Sequence, residues 1–404
     1  MSATQYDAIV IGARCAGSPV SMLLVRNGLK VLTVDRATFP SDTISTHLIH
    51  PPGMEALKRW GLHDAVANSN CPPISTYFVD FGPVQISGHP GTHEAPSAYG
   101  PRRTVLDKIL VDAASKAGAE VREGFSVEEI VIEDGKVVGI RGHDRNGTTV
   151  TEKARIVIGA DGRHSTLARA VKPAQYNEKP ILESSYYSYW SGLPMNGRFE
   201  TYMREDRAFA AWPTNDDLTL VVGGWPYAQF ETNKHDVEGN FMAMFNRAPE
   251  FGDRIRAAKR EDKLYGTAVS GYFRKPFGPG WALVGDAGYN KDYITAQGIS
   301  DAFRDAELCA SAIYDSLAGA RGFDEAMSEY QQERDNDSMP IYEFTAGIAS
   351  FEPPPPEQQQ LFGAMKGNQK AMDDFTKTVA NVISPAEFFS EGNVGRIFAE
   401  AGAS

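Results

Sequence analysis

The chain has 404 residues, 42% of them apolar and 23% charged, with three cysteines and a formal net charge of −12 at pH 7. At about 100–200 residues per domain this length predicts two or three domains, and the proportions exclude collagen-like, coiled-coil, disordered and disulfide-scaffold chains. The acidic balance argues against nucleic acid as a partner, and the absence of any run of about 18 apolar residues argues against a membrane span.

The first seven residues, Met1 to Asp7, are polar and lead straight into a strand, without the basic-then-apolar order of a signal peptide. Together with Cys15, Cys71 and Cys309, which match no metal or disulfide spacing and read as buried reduced thiols, this predicts a cytoplasmic protein.

The apolar run at 7–12 predicts a buried parallel strand, followed by a glycine-rich turn, a helix from about Ala16 to Asn27 and a second strand at 30–35. Residues 38–104 read as Pro- and Gly-rich loops with one helix, Met54 to Trp60. A further helix is expected from about Val105 to Ala117. The segment from Glu120 to Val157 alternates in polarity and turns at Asp134-Gly135 and Asn146-Gly147. Another buried strand follows at 155–159.

From about 180 to 274 the pattern is of strands rich in Tyr, Trp and Phe (Leu182 to Trp190, Arg198 to Met203, Ala208 to Trp212, Leu218 to Val222), with a helix near 236–247. Asp216-Asp217 reads as a turn. The apolar type returns at 281–285, with a helix from about Gly298 to Leu317 and a mostly helical tail interrupted by four prolines at 353–356.

The expected fold is therefore α/β, a Rossmann-like nucleotide-binding domain (1–75, 100–175 and 275–330) interrupted by a β-rich substrate domain (76–99 and 176–274). A helical segment, 331–404, completes it.

Three turns carry the chemistry. The first, Gly12-Ala-Arg-Cys-Ala-Gly17, stands where a G-x-G-x-x-G fingerprint lets pyrophosphate approach a helix N-terminus, with Arg14 in place of the middle glycine. Arg14 either helps neutralise pyrophosphate or points to solvent. Asp35, closing the second strand, sits where an acid accepts from ribose hydroxyls and disfavours a 2′-phosphate. The others are Gly159-Ala-Asp161-Gly162 and Gly285-Asp286-Ala287, the latter followed by the helix opening at Gly298.

In this order, with Arg103-x-x-Leu-Asp107 between the first and second, these motifs resemble the FAD-dependent aromatic hydroxylases of the para-hydroxybenzoate hydroxylase type. That superfamily also holds flavin halogenases and geranylgeranyl reductases. The resemblance spans about residues 5–335. It implies that Gly12 and Gly17 cradle the ADP part of FAD, with Arg14 between them a further candidate for the cofactor, that Asp35 takes the ribose, and that Arg36 lies along the adenine. It implies an FAD phosphate or ribitol contact for Arg103, an FAD and NAD(P)H motif at Asp161, and a ribitol contact for Asp286. The backbone at Gly298 and Ile299 would face the flavin and favour negative charge on it.

The chain departs from the family pattern at Tyr289, where His is common, at Tyr293, where Pro is usual, and at Ala296, where the first Gly of the loop is usual. A tyrosine at 293 adds an N–H donor and a phenol; it either contacts substrate, reshapes the pocket or impairs hydroxylation. His47, in the loop Phe39 to His47, is a candidate acid/base or flavin contact, or simply a hydrogen-bonding residue. Ser45-Thr46 stand where prenyl reductases carry Cys-Gly, and the halogenase stretch Trp-x-Trp-x-Ile-Pro is missing around Trp212.

The aromatic cluster Tyr186, Tyr187, Tyr189, Trp190, Phe209, Trp212 and Trp225 is expected to split between sheet core and the wall of a substrate pocket, with Tyr187, Tyr189, Trp212 and Tyr293 as the substrate candidates. The function implied is oxygenation of a small to medium apolar aromatic or polycyclic substrate by O2 through a flavin C4a-hydroperoxide. NAD(P)H would be a transient co-substrate, since only one dinucleotide fingerprint is present. A flavin-dependent dehydrogenase or reductase, a halogenase and a non-catalytic FAD sensor are the rivals.

Overall fold

The computed structural model describes residues 6–402. Its central sheet runs in the order 277–278, 281–283, 149–159, 6–11, 31–35, 120–123. The strand Tyr6–Ile11 lies parallel to both Thr149–Gly159 and Val31–Asp35, and Trp281–Leu283 and Glu120–Glu123 extend the parallel set on either side. The inner strands are buried along almost their whole length, so they carry continuous Val, Ile and Leu rather than alternation. Glu120–Glu123 opens the segment that alternates in sequence, and joins the parallel sheet as an edge strand with only Val121 apolar. The hairpin Ser126–Glu133 and Lys136–His143 turns at Asp134-Gly135 and pairs antiparallel with the first half of Thr149–Gly159.

The helix Gly17–Arg26 packs on this sheet with Arg103–Ala117 and Gly298–Leu317, through a core that includes Val20, Leu24, Leu106, Leu110, Phe303 and Ile313. Cys15, Cys71 and Cys309 are buried and free.

The second sheet has the order 259–260, 183–191, 219–226, 207–213, 198–204, 76–80, 85–88, with Tyr265–Thr267 also on Glu183–Ser191. The strands Thr76–Asp80 and Gln85–Gly88 lie where the sequence reads as loop. Pro83 and the glycines that punctuate this segment mask a short apolar alternation at Tyr77 and Val79. The helix expected near 236–247 is a helix Val237–Met244 with a 3-10 turn after it. A further helix, Pro249–Ala257, was not expected from the sequence.

The period of two sorts the aromatic cluster. Trp190, Phe209 and Trp225 face a core closed by Phe241, Phe245 and Phe251. Tyr187, Tyr189, Trp212 and Phe199 face the other way, toward Leu48 and Ala296.

The tail consists of the 27-residue helix Phe323–Ala349 and four shorter helices. It braces the loop that precedes Gly298. Arg334, fully buried, donates to Gly288 O at 3.2 Å and to Arg274 O at 3.1 Å. Thr345 and Thr295 share a hydrogen bond of 2.8 Å, and Gln297 Nε2 donates to Val379 O at 2.9 Å.

Candidate active site

The turn after the first strand demands glycine at both ends. Gly12 has φ +101°, and a Cβ there would lie 2.4 Å from Ala160 O. A Cβ on Gly17 would lie 1.7 Å from Gly12 O. The helix that follows has no side-chain cap, so its N-terminal dipole is left for a ligand. Asp35 holds the turn in place: its carboxylate accepts from Ala13 N and Ala37 N, each at 2.8 Å.

Arg14 does not reach for solvent. Its guanidinium meets Asp107 Oδ2 at 2.5 Å, donates to Ser41 Oγ at 3.0 Å and lies 5.3 Å from the Phe39 ring. Arg103, one helical turn before Asp107, donates to Asp107 Oδ1 at 2.9 Å. Asp107 is fully buried and receives both cations, so it fixes two arginines at the wall of the same cavity.

At the far side, Asp161 Oδ2 accepts from Thr166 N at 2.7 Å while its Oδ1 is buried without a partner; burial pushes this carboxyl up from the ordinary carboxylate range. The Asp286 carboxylate projects into the cavity but is ringed by protein, which pushes its pKa up as well. The helix Gly298–Leu317 begins without a side-chain cap, and Gly298 and Ile299 line the cavity at its positive end.

These residues enclose one cavity of about 1170 Å3, larger than the roughly 300–1,000 Å3 of a pocket for one drug-sized ligand. Of the residues singled out in the sequence, Gly12, Arg14, Asp35, Arg36, Arg103, Asp161, Tyr187, Asp286, Tyr293, Gly298 and Ile299 line it. Gly17 backs Gly12 and does not line it. A second void of about 30 Å3 opens beyond Tyr293, walled by Phe199, Phe209, Trp212 and Val222. Thr46, Ser185, Val222, Tyr293 and Ala296 border both spaces, so the two are neighbours across the Tyr293 ring.

His47 and Tyr189 stand one layer behind the cavity. His47 is fully buried at φ +61°, its Nε2 is 2.5 Å from the Tyr189 hydroxyl, and its Nδ1 has no partner. Burial, with Arg103 and Arg102 nearby, holds its pKa well below that of a free histidine, so the imidazole is neutral and shares a hydrogen bond with the phenol. Arg102 lies 4.6 Å from the Tyr189 ring. The backbone N–H of His47 donates to Ser45 Oγ at 3.0 Å, and neither His47 nor Tyr189 lines the cavity or the void beyond Tyr293.

Sequence reading missed Glu183, Lys291, Asp292 and Asp301. Lys291 lines the cavity and is ion-paired with Asp301. Glu183 and Asp292 are buried neighbouring carboxyls beside Tyr293, and each influences the other's titration. The available signal was the run Lys291-Asp292-Tyr293 inside the loop that departs from the family pattern. Glu183 itself is only one acid at the start of a strand, and nothing local marks it.

Residues 5–345 match the family described as FAD binding domain, and the chain belongs to that family. It is 26% identical over 343 residues to the digeranylgeranylglycerophospholipid reductase of Methanocella arvoryzae, covering 82% of this chain and 83% of that protein. It is 24% identical over 331 residues to the 1H-pyrrole-2-carbonyl-(peptidyl-carrier protein) brominase of Pseudoalteromonas luteoviolacea, covering 78% of each. Among solved structures, a probable FAD-dependent monooxygenase from Pseudomonas aeruginosa superposes with a TM-score of 0.72 at 17% identity, over 99% of this chain and 100% of that one. The chain is an enzyme of this flavoprotein superfamily, as the sequence resemblance implied.

The cavity fits the family's cofactor on its own terms. It pairs two glycine positions where a side chain would collide with two uncapped helix N-termini, two clamped arginines and an acid left open to the cavity.

Proposed function

We propose that this member of the FAD binding domain family is a monooxygenase that takes electrons from NAD(P)H and passes one oxygen atom of O2 to a small to medium apolar aromatic or polycyclic substrate. One observation carries this reading: the apolar void behind Tyr293 adjoins the large cavity directly, on the aromatic face of the second sheet. An apolar substrate would thus sit beside the cofactor and away from water.

Gly12, Asp35, Arg36, Arg103, Asp161 and Asp286 would hold FAD, with Arg14 fixing the turn through Asp107. Bound there, FAD supplies the redox chemistry. The chain's own work is to orient the two ligands, exclude water and present the positive end of the Gly298–Leu317 helix to developing negative charge. The sequence carries a single dinucleotide fingerprint, which supports NAD(P)H as a visitor rather than a resident. The void beyond Tyr293 is smaller than an aromatic ring, so in this reading the substrate displaces the Tyr293 side chain or occupies the Tyr187 end of the large cavity.

The reductase and brominase relatives mark the competing chemistries, and the chain lacks both the Cys-Gly pair and the Trp-x-Trp-x-Ile-Pro stretch. Oxygen uptake coupled to NAD(P)H oxidation, measured with the FAD-loaded protein across a panel of phenols and polycyclic aromatics, tests the proposal. Stimulation of both by an aromatic compound is expected. Hydride exchange without oxygen uptake, or dependence on halide, would overturn it.

A further inference from the structure

Glu183 is 1% exposed and Asp292 6%, and the two carboxyls neighbour each other where the large cavity meets the void behind Tyr293, Glu183 lining the void and Asp292 the cavity. Neither acid has an ion-pair partner among the described residues; the nearby Lys291 is directed to Asp301. Glu200, the other buried glutamate, pairs with Arg254. The titratable groups that meet here are the two acids and the Tyr293 phenol, which itself is engaged with Ser185 and Thr267.

The hydrogen-bond inventory of the pair is incomplete as dianions. Ser185 Oγ donates to Glu183 Oε1 at 3.0 Å, and Ile294 N donates to Asp292 Oδ1 at 2.9 Å. Asp292 Oδ2 is buried with no donor at all. Two carboxylates in contact, desolvated and without a cation, cannot both stay ionised, and a proton on one is the donor that the other lacks.

We propose that Glu183 and Asp292 hold one shared proton and form a proton-exchange site, with Asp292 on the large cavity and Glu183 on the void behind Tyr293. Above about pH 6, to which burial pushes Asp292 up, the pair is a monoanion with one proton; Glu183 is held well above the ordinary carboxylate range, first by burial and then by Asp292. A ligand O–H or N–H facing Asp292 can pass its proton to the carboxylate, leaving the ligand with the electron pair and the acid pair neutral. The reverse step returns the proton, and no redox partner is needed. This deepens the oxygenation reading by giving its substrate class, an aromatic with an exchangeable proton, and rests on that reading only for this step.

The shared proton is tested by infrared spectroscopy of the native FAD-loaded protein, unlabelled and with glutamate labelled with 13C at its side-chain carboxyl. At pH 7 a neutral-carboxyl band that shifts with the glutamate label is expected, and it should move again on transfer to D2O without unfolding. Glu183→Gln and Asp292→Asn serve as second reads: the first should remove the labelled band, and the second should remove the titration near pH 6 while keeping it. The absence of any glutamate-sensitive neutral-carboxyl band at pH 7, or a band that exchanges in D2O only on unfolding, overturns the proposal. The labelling result needs no variant to fold and no turnover, so a shared proton found in a protein that consumes no oxygen would uphold the pair and remove the oxygenation reading alone.

Discussion

The Tyr293 hydroxyl accepts a hydrogen bond from the backbone N–H of Ser185 at 3.1 Å. It also donates to Thr267 O at 2.7 Å, so one phenol ties the loop before Gly298 to two strands of the second sheet. Tyr293→Phe leaves a buried N–H and a carbonyl without this partner. The expected loss is about 1–3 kcal/mol, read by urea denaturation. Unchanged stability would show that the phenol does not join the two parts.

Ala296 sits at φ +54° on the border between cavity and void, where an L-residue pays about 1–2 kcal/mol. Ala296→Gly relieves this and adds back about 0.4–1 kcal/mol of unfolded-state entropy, so it is expected to be neutral to stabilising by up to about 1 kcal/mol. The same change removes a methyl from the wall between the two spaces. Thermal unfolding checks the first effect, and the size range of aromatic ligands bound checks the second.

Asp107 is fully buried and holds both Arg14 and Arg103. Asp107→Ala leaves two guanidinium groups without their carboxylate, at a cost of about 3–5 kcal/mol, the range for breaking a buried ion pair. Denaturation and the flavin content of purified protein should fall together. A variant that keeps full flavin content would separate the clamp from cofactor binding.

The parts of the site that are local in sequence were legible there. Gly12, Asp35, Asp161 and Asp286 lie at strand ends, where a short motif and its flanking elements suffice to read them. Asp107 appeared only as the end of the Arg103-x-x-Leu-Asp107 motif, because its tie to Arg14 joins a helix to a turn 93 positions away. Glu183 and Asp292 were invisible, since 108 residues separate Ser185 from Tyr293 and only the packed sheet joins their neighbourhoods. The strand Thr76–Asp80 was hidden for a related reason: its partner, Arg198–Arg204, lies in a distant segment, and its own residues are too few to show a period. His47 drew attention as a titratable side chain in a polar loop, yet burial makes it a neutral support for Tyr189.

Two buried groups set opposing pH dependences. His50 is fully buried and hydrogen-bonded to Tyr77 and to Thr295 O; burial, aided by the nearby Lys291 charge and opposed by the Thr295 carbonyl, lowers its pKa from 6.5 to about 4. Between these values the unfolded chain takes up a proton that the folded imidazole refuses. Stability present at pH 7 is therefore lost as pH falls from 6.5 to about 4, by about 3 kcal/mol at about 1.4 kcal/mol per unit. Asp292 works the other way. Its folded pKa, pushed up from 3.8 to about 6, means that its contribution is greatest below 3.8 and is lost as pH rises through 6. His50→Gln should flatten the acid limb of stability against pH, and Asp292→Asn should steepen it. Denaturation midpoints from pH 4 to 7 decide, and parallel profiles for wild type and both variants would contradict the assignment.

The proposed activity is flavin oxygenation with electrons drawn directly from a nicotinamide cofactor. The most direct measurement mixes FAD-loaded protein anaerobically with NADH or NADPH, alone and with an aromatic compound, follows bleaching of the flavin absorbance, and then admits oxygen. One of the two reductants is expected to bleach the flavin without any added reductase, the aromatic compound to accelerate this, and oxygen to restore the absorbance with oxygenated product. A flavin that neither NADH nor NADPH reduces, or one that is reduced but returns no oxygen atom to any aromatic compound, would contradict it.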